Sequence, residues 1–134
     1  MIETRRSLNR NDLIYAELHY DIAGILFEVF RTVGPGYKEK YYQKAVAEGL
    51  RKYKMQFREQ VPVPLIFQGK RIGTNFLDFL IEEKVILELK KGDYFNRQTI
   101  EQINQYLKAT DLKLGLVAVF TSKGVKIKRI VNLQ

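Results

Sequence analysis

Cysteine is absent and histidine occurs once in the 134 residues. Without cysteine there is no disulfide framework and no thiolate metal site, which suits a reducing, cytoplasmic compartment. With a single histidine as well, most zinc centres and thiol chemistries drop out. Long apolar runs are also missing. The longest, roughly Leu114 to Phe120, is far below the roughly 20 residues that span a bilayer, so no membrane partner is expected. The opening MIETRRSLNRND lacks the apolar centre of a secretory leader. Acid is scarce locally: RKYKMQFR (51–58) and SKGVKIKRIVNLQ (122–134) each hold four basic residues and no carboxylate.

What is present is a globular composition, 46% hydrophobic and 28% charged, in a chain long enough for one domain spanning residues 1–134. Lysine and arginine outnumber aspartate and glutamate by 23 to 15, a net charge of +8. That surplus favours a polyanionic partner, nucleic acid first, although solvated basic faces alone also account for it.

Periodicity divides the chain without repeats or linkers. Ile14, Leu18, Ile22, Ile25, Leu26, Val29 and Val33 recur at helical spacing, so the pattern predicts a helix over about 11–33. Asn11 or Asp12 is the expected cap, and GPG (34–36) the stop. Tyr42, Val46, Leu50 and Tyr53 predict a second helix over about 38–54. The period then falls to two. Phe57, Val61, Val63 and Leu65 read as a strand, and Pro62 and Pro64 place it at a sheet edge. QGKR (68–71) is a turn, 75–81 a second strand, EEK (82–84) a connection and 85–90 a third strand. Helical spacing returns at 96–109. KLGLVAVF (113–120) reads as a strand buried on both faces, and 125–131 as the last strand. The order α-α-β-β-β-α-β-β specifies an α/β class fold, an α+β mixed sheet with helices packed on it.

The third strand raises a question. Glu88 and Lys90 share one of its faces with Ile86, where apolar residues would fold better. If the connection 82–84 pairs Ile81 with Val85, Asp78 lies opposite Glu88. Facing β-carbons sit about 4.5–5.5 Å apart, and like charges there are destabilising. A bound cation resolves the conflict, and oxygen ligands favour Mg²⁺ or Mn²⁺. Lys90 points the same way and could position water or offset charge on a phosphate. The competing reading is an ion-paired hairpin, Glu88 with Lys90 and Asp78 with another lysine. Gln102 and Tyr106, four apart, share one helix face. Glu39, in a first helical turn, also suits the helix dipole. GPG lacks the Lys-Ser/Thr ending of a phosphate loop.

Asp78 followed after nine residues by ELK (88–90) resembles the core signature of the PD-(D/E)XK nuclease superfamily. GYKEKYY (36–42) is similar to the GxxExxY pattern of a family of small proteins within it, through Gly36, Glu39 and Tyr42. QINQY (102–106) is similar to the QxxxY motif of its exonuclease branch. The resemblance runs from about Ile22 to Val131. It implies a restriction-endonuclease-like core and a nuclease acting on DNA phosphodiesters with Mg²⁺ or Mn²⁺. Asp78, Glu88, Lys90, Gln102 and Tyr106 would be its catalytic residues. Asp78 and Glu88 would be the metal ligands, with Glu39 assisting. Lys91, Arg97, Lys126, Lys128 and Arg129 are the expected contacts to DNA, and a homodimer is allowed. Two departures stand out. Phe30 occupies the place where family members often carry a histidine, and Leu77 replaces the usual proline. His19 is about 16 Å away along a helix and cannot substitute. Phe30 therefore supports an alternative, an inactive nucleic-acid-binding module with the same fold.

Overall fold

In the computed structural model of this chain, residues 14–133 are described. Among the described residues, three helices pack on one five-stranded sheet: α1 (Ala16–Val33), α2 (Glu39–Lys52), β1 (Phe57–Phe67), β2 (Lys70–Ile81), β3 (Val85–Lys91), α3 (Arg97–Thr110), β4 (Leu114–Phe120) and β5 (Val125–Val131). The sheet order is β1-β2-β3-β4-β5. β3 and β4 are parallel, because α3 carries the chain over the sheet between them, and the other neighbours are antiparallel. This is the mixed sheet and element order that the periodicity predicts.

The two faces have separate cores. Phe79, Ile81, Val85, Leu87, Leu89, Leu116 and Ala118 pack against α1 and α2 through Ile22, Leu26, Tyr42, Val46 and Leu50. Leu80, Ile86, Val117, Val119 and Ile130 pack against α3 through Ile103, Tyr106 and Leu107. Every residue of β4 is buried, as its unbroken apolar run requires. β1 lies at the edge, where Pro62 and Pro64 break no inner ladder.

Several boundaries differ from the sequence expectation. α1 begins at Ala16 after Tyr15, whose φ is 50°, with no side-chain cap, and Asn11 and Asp12 lie outside the described residues. Gly34, with φ 84°, ends α1 as expected. Tyr53 falls beyond the end of α2, and its hydroxyl donates to Glu28. The turn in QGKR is confined to Gln68 and Gly69, both with positive φ, so the hairpin closes tightly and β2 starts at Lys70 rather than near Asn75.

Candidate active site

The site grows out of a fork in the sheet. β2 and β3 pair at Ile81–Val85, Leu80–Ile86 and Phe79–Leu87, and their ladder stops there. β3 continues with β4 through Lys91, and β2 continues outward with β1. Amides beyond the split lose their strand partners, and two carboxylates replace them. Glu88 Oε1 accepts the Asp78 N–H at 2.7 Å. Asp78 Oδ2 accepts the Leu89 N–H at 2.8 Å. The expected register is therefore correct to its last pair, and the two acids meet, joined through side chains where the ladder ends.

The environment is hostile to charge. Glu88 is 5% exposed. Burial first, and the Asp78 charge second, push its pKa up to about 7, against the Asp78 N–H and the nearby Lys90 ammonium, which favour the anion. Glu39 adds a further upward push from the start of α2. Burial likewise raises Asp78, opposed by the Leu89 N–H, Lys90 and the Gln60 amide. Among the described residues no ion pair includes Asp78, Glu88 or Lys90. The ion-paired hairpin is thus not what forms: among the described residues, buried Glu88 and half-buried Asp78 stand together without a cationic side chain in contact.

The other expected residues have distinct placements. On β3, Glu88 lies beside Val117 and Lys90 beside Val119, both in the core under α3, so both face that helix. Gln102 and Tyr106 approach from above. Burial, then the charges of Glu88 and Asp78, push the Tyr106 phenol up to about 12, while a Gln102 hydrogen bond pulls the other way. The phenol is therefore a neutral donor. Glu39 is felt by Glu88 but is not part of a closed cage: among the described residues no three of His, Cys, Asp and Glu gather around a common point. Tyr42 has a structural task. Its ring stacks on Phe120 with centroids 4.2 Å apart, and its hydroxyl donates to the Gly34 carbonyl at 2.7 Å. That bond fixes the loop leading into Glu39.

Basic residues gather on one side. Lys90 and Lys91 line a cleft of about 410 Å³ with Tyr94, Asn96, Gln98, Thr99 and Gln102. Lys126 and Lys128 are exposed on the α3 face of β5, beside Val119 and Val117. Arg97 is exposed at the start of α3, just after the cap where Asn96 accepts the Gln98 N–H at 2.7 Å. Arg129 corrects the expectation that it joins this group. Strand alternation turns it to the opposite face, where it donates to the Ile14 carbonyl and contacts His19 at 2.9 Å. Burial, and then the Arg129 charge, lower the pKa of His19.

Sequence reasoning missed Gln60. Its amide lies 3.5 Å from Asp78 Oδ1, and its φ of 50° is unusual for a residue within a strand. A bulge between Leu65 and Ile66 sets its register, and no residue pattern announced that bulge.

The donor set suits a hard divalent ion. Each carboxylate commits one oxygen to a backbone N–H, and the second Asp78 oxygen meets only the Gln60 amide at 3.5 Å, while Mg²⁺ commonly takes one or two carboxylates and fills its shell with water and phosphate oxygens. No curated protein matches the sequence. The crystal structure of SSO0001 superposes with a TM-score of 0.56 at 14% identity, over 70% of this chain and 50% of that one, a likeness of fold. The chain thus spans half the length of that protein. The family model that describes the PD-(D/E)XK nuclease superfamily matches residues 16–130, nearly the whole described chain, and the protein belongs to that superfamily.

Proposed function

We propose that the chain is a divalent-cation-dependent nuclease of the GxxExxY type that hydrolyses DNA phosphodiester bonds at the β2–β3 fork. The observation that carries this reading is the pairing of buried Glu88 with half-buried Asp78, joined through backbone amides and, among the described residues, without a cationic side chain in contact. A fold gains nothing from such a pair unless a ligand offsets the repulsion.

Asp78 and Glu88 would hold Mg²⁺ or Mn²⁺, with Glu39 nearby to receive water bound at the site. When bound, the ion supplies Lewis acidity toward the phosphate and an acidified water. Lys90 places an ammonium beside the carboxylates, where it orients the attacking water and offsets charge building on the phosphoryl oxygens. Tyr106, neutral at working pH, and Gln102 donate hydrogen bonds to the phosphate or to that water. Lys91, Arg97, Lys126 and Lys128 track the flanking backbone.

The test is cleavage of supercoiled plasmid and of a single-stranded oligonucleotide with Mn²⁺ or Mg²⁺. Asp78→Asn and Lys90→Met should each lower the rate by roughly 10²-fold or more while the protein stays folded. Turnover surviving in both variants overturns the mechanism. Phe30 favours a second reading, a binding module without turnover, since a half-buried apolar ring packed against the α1–α2 core stands where the GxxExxY resemblance implies a histidine. That reading expects no heat on titrating Mn²⁺ and salt-dependent DNA binding with no cleavage.

A further inference from the structure

The short loop between β3 and α3 holds a ring that the core does not use. Phe95 packs against the α3-side core, whereas Tyr94 beside it is 82% exposed. Tyr94 lines the same cleft as Lys90 and Gln102. The Lys126 ammonium sits 5.6 Å from the Tyr94 ring centroid and is fixed by a 3.0 Å hydrogen bond to the Asp93 carbonyl. Lys128 stands 5.9 Å from the Phe95 ring. Register locates this group relative to the fork. Lys90 pairs with Val119 and Val119 with Lys126, so the two lysines are two strands apart, roughly 10 Å at ordinary strand spacing. Glu88, Val117 and Lys128 form the row next to it.

An exposed ring beside the anchored Lys126 ammonium, in a cleft that Lys90 also lines two residues along β3 from Glu88, has the parts of a single-strand site. Phosphates lie along the cations and a base lies on the ring. We propose that Tyr94 is a stacking platform for an unpaired base of a strand whose phosphates pass Lys126 and Lys128 toward the fork. This rests on the nuclease reading for the identity of the fork and narrows its substrate class. A base inside a closed duplex already has both faces covered by its neighbours and cannot take the platform. A single strand can.

The chain contains no tryptophan, so Tyr94→Trp introduces one fluorescent reporter at the platform. Short oligo(dT), added in EDTA to prevent turnover, should quench that tryptophan, and covalently closed circular duplex should not. Tyr94→Ala should weaken oligo(dT) binding roughly 10-fold, as loss of one stacked base does, with Tyr94→Phe close to the parent protein. Absence of oligo(dT) binding, an unquenched tryptophan at saturation, or equal quenching by closed duplex overturns the platform. Cleavage by the unsubstituted protein separates the two ideas. Quenching without turnover sinks the nuclease reading alone, and turnover without quenching sinks the platform alone.

Discussion

A carboxylate buried beside a second carboxylate, as Glu88 is beside Asp78, loses hydration that one backbone N–H only partly replaces. Its pKa is about 7 in the folded chain against an ordinary 4.5. Between those values the folded protein keeps a proton that the unfolded chain has released. Stability therefore falls as pH rises from about 4.5 to about 7, by roughly 3 kcal/mol from this group, and levels off above. Asp78 acts in the same direction, because burial raises its pKa as well. His19 acts the opposite way, since its pKa is lowered and the unfolded chain holds its proton longer. The comparison that isolates Glu88 is thus with its amide. In chelator, the Tm of the parent protein should fall between pH 5 and 8. Glu88→Gln should lose most of that slope and melt higher than the parent at pH 8, and saturating Mg²⁺ should restore stability to the parent only. An identical slope in the two proteins contradicts the assignment.

At the scale of elements, α3 holds the site only as well as it is seated on β4. Gly115 is the seat: a β-carbon there would come 2.5 Å from a methyl of Ile103, on the helix that carries Gln102 and Tyr106. Gly115→Ala must push α3 outward. It should cost about 1–3 kcal/mol, read as a lower Tm. Cleavage should fall further than that loss of stability explains, because the helix moves with its donors. Full activity with an unchanged Tm would show that α3 is seated elsewhere. The same scale shows what residues alone could reveal. The connection 82–84 fixes the pairing of β2 with β3, so the meeting of Asp78 and Glu88 was readable from alternation and turn length. The end of the ladder at Phe79 and Leu87 was not, because nothing local distinguishes a strand pair from a fork filled by side chains. Gln60 stayed hidden behind a bulge. Tyr42 stands out in the sequence only as a helix-face residue and a motif position, since its hold on the Gly34 carbonyl depends on the path of a loop. The roles of Lys126 and Arg129 separate by strand parity, which a cluster of four basic residues in the sequence conceals.

For the whole molecule, a net charge of +8 matters less than where it lies. Some of it is already committed within the fold: Arg58 to Glu83, Lys52 to Glu28, and Arg129 to the Ile14 carbonyl. Lys90, Lys126 and Lys128 remain grouped on the side of the sheet that carries the carboxylate fork, and Lys91 lines the same cleft from the end of β3. If these four meet phosphates, the logarithm of single-strand affinity should fall with the logarithm of salt at a slope of about −3, since each neutralised phosphate contributes about 0.7. Removing Lys126 and Lys128 together, as Lys126→Gln with Lys128→Gln, should reduce that slope by about 1.4 and weaken binding most at low salt. Replacing Arg58 and Lys52 in the same way should leave the slope near its starting value, because those side chains are already held in ion pairs with Glu83 and Glu28. Equal slope changes in the two double variants would mean that net charge, rather than the arranged face, draws the nucleic acid in.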